Sequence, residues 1–420
     1  MRLLFIASRL PCPPISGDRI RAHYFIKELS RRHELTVLAP RWRETEEEVA
    51  AARSLCKDMV VIPMSVAGQI VRLNQVVFGG QSIQSCLFWN NRIRAEIDRL
   101  IVDFKPELVH VSMLRMAPAV AHISNVPVVV DFIDTMSLNM KRRSEIEKAS
   151  VFRWMLRMES ARTKLEEQEL IRKHQAVTVV SSEDKMVLGE HANVHVVPLG
   201  LDLDRFPYER KGRSERLLLF TGNLSYFPNA DAVSYFLSDV LSKVRSRIGD
   251  VRFQVVGPGA DRNLARLSES QGVEMCGYVP NLHEYLGKAT IAVAPMRCGT
   301  GMQFKVLEAM ASGTPVVAML RGLGGLKVTH GRELLVADSA EAFADQVVDL
   351  LQNPTLQESL AANARAMIEK DFTWEKSVNQ LEKVYEKAMG RDGRRRAEGG
   401  GRRTEGGRRK ADDGERMRED

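Results

Sequence analysis

Cysteine is scarce and has no useful spacing. The five residues Cys12, Cys56, Cys86, Cys276 and Cys298 are odd in number, widely scattered among 420 positions, and never form a Cys-x-x-Cys pair. Neither a disulfide framework nor a thiolate zinc site is supported, and a reducing cytosol is the expected compartment. Long apolar runs are missing too. No stretch approaches the roughly 20 residues that a membrane helix requires. The N-terminal run Arg2-Leu3-Leu4-Phe5-Ile6-Ala7-Ser8 is too short for a signal-peptide core and stops at Arg9, so it reads as a first buried strand. No Asp-x-Asp pair stands at a predicted strand end, so no divalent metal is implied.

What is present is an ordinary globular composition, 44% apolar and 27% charged, on a chain long enough for two or three domains. The net charge of +7 is uneven: +5 over residues 1–200, −1 over 201–389 and +3 in the tail. Such a bias suits anionic headgroups or polyanions, or else solvated helix faces. Apolar runs of strand length alternate with helical patterns. In the first half they are Arg2–Ala7, Glu34–Leu38, Val60–Pro63, Leu108–Val111, Val126–Val130, Ala176–Val180 and Val194–Val197. In the second they are Arg216–Phe220, Val251–Val256, Val273–Cys276, Ile291–Ala294 and Pro315–Ala318. Strand, helix, strand repeated twice predicts an α/β protein with two doubly wound parallel sheets, joined at Pro198-Leu199-Gly200-Leu201-Asp202. Residues 374–389 form a further helix with Trp374, Val378, Leu381, Tyr385 and Ala388 on one stripe and Thr373 as N-cap. From Gly390 onward, eight glycines mix with dense Arg and acids, a composition expected to be disordered.

The most informative segment is Pro295 to Val317. Gly299 and Gly301 let the backbone turn sharply and approach a ligand without a Cβ in the way. The run Met302–Ala311 has helix-forming composition, so its first amides point back at that loop and favour a phosphate there. Ser312-Gly313 ends the helix and Pro315 opens a buried strand. Lys305 and Arg297 flank the loop, and Glu308 lies further along the helix.

These residues in this order resemble the donor-binding signature of the retaining family 4 glycosyltransferases, and the resemblance covers most of the chain. It implies the GT-B fold: an acceptor-side Rossmann-like domain over 1–200, a nucleotide-sugar-binding Rossmann-like domain over 201–371, a facing cleft, and a crossover helix over 372–389 returning to the first domain, before a basic tail over 390–420. Of the two glutamates that the family spaces eight positions apart, Glu308 matches the second, the ribose contact, while Thr300 stands at the first. The family's Gly-Arg-Leu-x-x-x-Lys-Gly loop is replaced by Gly222-Asn223-Leu224-Ser225-Tyr226-Phe227-Pro228-Asn229. Both usual cations are therefore gone, each worth about 1.5–3 kcal/mol as a charge-assisted phosphate contact. Lys305 and Arg297 are the substitutes expected at the departing diphosphate, with amides from Gly301, Met302 and Gln303 on its phosphate, and with Gly299, Thr300, Asn223 and Val279 lining the donor site. After the first strand, Gly17 matches the family's glycine-rich loop. In Asp131-Phe132-Ile133-Asp134, Ile133 replaces the family's His, leaving Asp134 as the expected sugar or acceptor contact, or else as a helix N-cap.

The implied activity is transfer of a sugar from a nucleotide diphosphate sugar, with retention, to a glycan or lipid-linked precursor of exopolysaccharide. No metal or cofactor and no nucleic acid is implied. The location would be cytoplasmic, with a peripheral contact to anionic membrane. An inactive GT-B scaffold of polysaccharide assembly is the alternative, motivated by the departures above; a sugar-nucleotide epimerase is a weaker one. Arg19 and Arg21 read as helix-surface charges and His110 as a structural histidine. Residues 139–173 read as one long charged helix, either with Trp154 and Met155 turned to the core or lying against a membrane surface. The apolar segment 66–78 and Phe88-Trp89 pose the same choice.

Overall fold

A computed structural model describes residues 1–65 and 82–401, with side chains described to residue 390. The apolar segment 66–78 lies outside the described residues. The first sheet contains β1 (Arg2–Ile6), β2 (Glu34–Arg41), β3 (Asp58–Pro63), β4 (Leu108–Ser112), β5 (Val128–Ile133), β6 (Ala176–Val179) and β7 (Val194–Val196), in the order β3-β2-β1-β4-β5-β6-β7. The second contains β8 (Leu217–Thr221), β9 (Arg252–Val256), β10 (Glu274–Gly277), β11 (Ile291–Ala294), β12 (Val316–Ala318) and β13 (Leu335–Val336), in the order β10-β9-β8-β11-β12-β13. All pairings within both are parallel, and helices cover both faces of each. This is the expected doubly wound pair. In each sheet the order reverses beside the first strand, β1 or β8, which opens a crevice at the carboxyl ends of the strands.

The central strands are buried on both faces, from Leu3, Leu4, Phe5 and Ile6 in β1 to Leu217, Leu218, Leu219 and Phe220 in β8. That explains why they read as unbroken apolar runs rather than alternating ones. The two-residue β13 had no such run to announce it.

The last helix, Trp374–Gly401, continues past Met389, where its apolar pattern ends; residues 402–420 lie outside the described residues. Trp374, Val378, Leu381, Tyr385 and Ala388 are all buried, and all belong to a core shared with β1, β2 and the helix Gly17–Leu29. The helix therefore crosses back onto the first domain, as expected. Trp374 stacks on Tyr24 with 4.8 Å between ring centroids. At the interdomain joint, a Cβ on Gly200 would lie 2.5 Å from the Trp374 Cα, so only glycine lets the two backbones approach. Leu199 is buried there beside Leu201.

Two charged-residue readings change in three dimensions. Arg21 is fully buried rather than a surface charge. Its Nε donates to Asp131 Oδ2 at 2.6 Å, and its terminal nitrogens donate to Val197 O at 3.0 Å and Pro198 O at 3.2 Å, tying the first helix to β5 and the joint. Residues 139–173 are two helices, Met136–Ile146 and Ser150–Lys173, because Glu147 and Ala149 are extended (ψ 126° and 118°). His110 is structural as read: it stacks on Phe5 and its Nδ1 meets Tyr385 Oη at 3.0 Å. Arg19 pairs with Glu44.

Candidate active site

β11 ends at Ala294 and delivers the chain to the glycine loop, where Gly299 (φ 109°) and Gly301 (φ 69°) occupy the left-handed region that side chains avoid. The helix begins at Phe304, two residues later than its composition suggests, because Gln303 is extended and serves as N-cap. Gln303 folds back, its Nε2 donating to Thr300 O at 3.2 Å and Gly301 O at 3.3 Å, so it braces the loop. Val306 N and Leu307 N donate to Gln303 O at 3.0 and 3.3 Å, which leaves the amides of Phe304 and Lys305 at the helix start without an intrahelical acceptor. The helix stops at Ser312-Gly313 (φ 72°), as expected.

Lys305 is the cation behind this loop. Its Nζ donates to Asn229 Oδ1 at 2.7 Å and Gln303 Oε1 at 3.2 Å, and lies 5.3 Å from the Phe220 ring centroid. Burial brings its ammonium down to about 8, opposed by the charge of Glu308. One turn on, Glu308 is pushed up to about 7 by the same loss of solvent, while Arg205 and Lys305 pull it back. An anion bound at the loop would restore the charge on Lys305, since it supplies what burial removes.

Arg297, expected as the second cation, is drawn elsewhere. Its Nε and a terminal nitrogen grip Asp231 at 3.0 and 2.5 Å, and its guanidinium lies 4.8 Å from the Tyr235 centroid. A bidentate carboxylate on the neighbouring helix Phe227–Tyr235 satisfies it, so of the two expected cations Lys305, and not Arg297, is left for a ligand at the glycine loop.

The two residues expected at the sugar, Thr300 and Asp134, come from different domains and meet. Thr300 Oγ1 donates to Asp134 Oδ2 at 2.7 Å, across the domain boundary. Asp134 follows Ile133, a β-branched residue at φ 68°, and that unfavourable turn redirects the chain at the end of β5. Burial raises the Asp134 carboxyl to about 6, Asp184 adds to this, and the Thr300 hydroxyl and Arg115 oppose it. A Cβ on Gly301 would come 3.0 Å from the Asp134 Cβ, so glycine here lets the domains meet.

Other expected positions surround this centre. Gly17 opens the first helix opposite Phe304, 3.8 Å from where its Cβ would be. Asn223 O accepts from Asn229 Nδ2 at 2.8 Å, which orients the amide that holds Lys305. Val279 and Met302 are partly buried against the core of the Phe304–Ala311 helix.

Sequence reasoning missed three contributors. Asn229 was visible inside the replaced loop without an assigned role. Arg205, in the short turn Leu203–Arg205 after the joint, acts on Glu308. Arg142 donates to Gly299 O at 2.8 Å and pairs with Glu183, so the helix Met136–Ile146 closes over the glycine loop. Asn139 Nδ2 donating to Tyr226 Oη at 2.7 Å and Arg143 over the Phe227 ring at 4.4 Å complete that contact. No spacing signal announces pairs this remote in sequence. Among the described residues, no group of His, Cys, Asp and Glu is arranged to hold a metal ion.

Comparison with known proteins places the chain by family and fold. A family model described as Glycosyltransferase Family 4 matches residues 15–205, and one described as Glycosyl transferases group 1 matches residues 215–353. The chain is 30% identical over 215 residues to the phosphatidyl-myo-inositol mannosyltransferase of Mycobacterium tuberculosis, covering 46% of this chain and 54% of that protein. It is 28% identical over 211 residues to a GDP-mannose-dependent monoacylated alpha-(1-6)-phosphatidylinositol monomannoside mannosyltransferase of Corynebacterium glutamicum, covering 46% and 55%. The match thus spans about half the length of these curated relatives. Among solved structures, Anabaena Alr3699/HepE in complex with UDP and glucose superposes with a TM-score of 0.67 at 13% identity, over 92% of this chain and 99% of that one, which shows a shared GT-B fold. With family models matching residues 15–205 and 215–353, one over each domain, the chain belongs to the family 4 glycosyltransferases.

Proposed function

We propose that this protein transfers a sugar from a nucleotide diphosphate sugar, with retention at the anomeric carbon, to a glycan or lipid-linked precursor of an exopolysaccharide at the cytoplasmic face of a membrane. The observation that carries the reading is the Lys305–Asn229 pair behind a glycine loop and helix start, with Glu308 one turn away. In the reaction, the bond from the anomeric carbon to the diphosphate oxygen breaks and the acceptor oxygen bonds on the same face. The leaving diphosphate takes the acceptor's proton, so no separate side-chain base is needed. The chain positions and neutralises: Lys305 and the first-turn amides hold the departing diphosphate, and Glu308 accepts from the ribose hydroxyls. Asp134 and Thr300 meet the sugar end, where Asp134 provides the carboxylate that Thr300 lacks. The names of the relatives and of the solved complex point to GDP- or UDP-linked donors as the first to test. Screening such sugars for release of nucleotide by the full chain tests the reading; no turnover of any of them contradicts it.

The role of Asp134 has its own signature. If its ionised form works, activity falls as pH drops through about 6. Thr300→Val removes a hydrogen bond that favours the charged form, so the acid limb of kcat/KM is expected to move up by about one pH unit. A pH–rate profile checks this, and an unmoved limb contradicts it.

A further inference from the structure

The helix Ser150–Lys173 buries Leu170 and Ile171 near its end, but over its earlier turns it sets polar residues inward and apolar ones outward. Its buried face carries Glu159, Thr163 and Glu167, at i, i+4 and i+8. Neighbours meet most of these groups: Glu159 Oε1 accepts from Ile83 N at 2.5 Å, Thr163 Oγ1 donates to Met140 Sδ at 3.7 Å, and Glu167 accepts from Ser137 N at 3.0 Å and Ser137 Oγ at 2.5 Å, while Glu159 Oε2 is buried without a partner among the described residues. Its outward face carries Val151, Trp154, Met155 and Met158 at i, i+3, i+4 and i+7, and then Leu165. Val151, Trp154 and Leu165 are 67%, 62% and 70% exposed, and Phe152 beside them is exposed as well. Trp154 and Met155 thus do not turn to the core. Scattered single apolar residues on a surface need no explanation, but Val151, Phe152, Trp154 and Met155 exposed together at the start of one helix do.

Charge identifies the occupant. Residues 141–165 hold eight basic side chains against three acidic ones. Arg157 and Lys164 are exposed along one flank of the stripe, and Lys141 and Lys148 are exposed where the chain leads into this helix. An apolar stripe with Trp and a basic border fits the boundary of an anionic bilayer, where the stripe enters the acyl region and the cations meet headgroups. Among the described residues no helix is long and apolar enough to cross a membrane, so the contact is a surface one. The same helix packs on Met136–Ile146, with Ser160 Oγ donating to Ser137 O at 2.7 Å, and that second helix reaches the glycine loop through Arg142.

We propose that the outward face of Ser150–Lys173, centred on Val151, Trp154 and Met155, docks on an anionic lipid bilayer and holds the cleft at its surface. This deepens the reading above, which supplies the reason for a lipid contact, but the contact is measured without donor or acceptor. Full-length protein is floated with vesicles of phosphatidylglycerol and phosphatidylethanolamine, and with vesicles of phosphatidylcholine alone. The wild type is expected to float with the anionic vesicles and to be released from them by high salt. Both W154S/M155S and R157E/K164E are expected to reduce binding at least tenfold while keeping the wild-type circular dichroism and melting. Absence of wild-type binding, or binding unchanged in both variants, overturns the proposal. So does a wild-type dimer in sedimentation that W154S/M155S dissociates without any vesicle binding, since a second copy then covers the face. Donor turnover without vesicle binding sinks the docking surface alone, whereas vesicle binding without turnover sinks the transfer reading alone.

Discussion

Replacing Lys305 with methionine is expected to weaken nucleoside-diphosphate binding by about ten- to a hundredfold and to reduce transfer further. Methionine keeps the length and apolar stem but removes the Lys305 ammonium behind the glycine loop. A charge-assisted contact to phosphate is worth about 1.5–3 kcal/mol, which corresponds to that range of affinity. The loss in turnover adds to it because charge accumulates on the diphosphate as the sugar leaves. Arg297→Met provides the contrast. Its guanidinium is committed to Asp231, so nucleotide affinity should change by no more than about threefold, the size of a weak indirect contact. Calorimetry on both variants separates the two cations, and equal losses would show that Arg297 leaves Asp231 for the ligand. Proton balance supplies a second readout. Burial lowers Lys305 to about 8, so diphosphate binding above that pH should take up a proton in the wild type, and this uptake should vanish in the methionine variant.

The largest effect on stability is expected from Arg21→Ala, a loss of about 3–5 kcal/mol in the first domain. Arg21 is fully buried, and truncation leaves the Asp131 carboxylate without its partner beneath the sheet, along with two joint carbonyls that lose their donor. The sign of the pH dependence follows. Burial pushes Asp131 up, but the charge and hydrogen bonds of Arg21, with His110 and the Thr178 hydroxyl, more than offset it, so the wild-type carboxyl titrates below its usual range. Its contribution to stability is therefore present above the unfolded pKa and lost as pH falls through the folded one. Without Arg21 the burial cost dominates, the folded pKa rises, and mild acid should narrow the gap between variant and wild type. Urea unfolding of both proteins at two pH values measures this. A gap that widens in acid would contradict the assignment.

Arg21 also shows why part of this molecule could be read from sequence and part could not. Its position was legible in principle: residues 21, 25 and 29 share one helical face, with Phe25 and Leu29 in the core. An arginine in that stripe signals a buried partner, yet composition alone treats it as a surface charge. The strands were legible because parallel sheets covered on both faces need unbroken apolar runs. β13 was not, since Leu335–Val336 is too short to differ from a loop. The break between Met136–Ile146 and Ser150–Lys173 was missed because Glu147, Lys148 and Ala149 all suit a helix, and only tertiary packing selects the bend.

At the site, the glycine loop, Lys305 and Glu308 could be placed because one local segment carries them all. Arg297 looked equivalent to Lys305 on spacing, and the difference lies in Asp231, 66 residues away. Asn229, Arg205 and Arg142 act through partners on other elements, and Arg142 acts across the domain boundary. The Thr300–Asp134 bond joins residues 166 positions apart. Local pattern contains no trace of it.

If the segment from Gly299 to Glu308 grips the diphosphate and ribose of a nucleotide sugar, as proposed above, nucleotide affinity depends on Glu308. Calorimetric titration of UDP and GDP into the wild type and Glu308→Ala measures this dependence. Saturable binding of at least one nucleotide by the wild type and its loss in the variant are expected. Unchanged binding after Glu308→Ala, or no binding of either nucleotide by the wild type, would contradict the proposal.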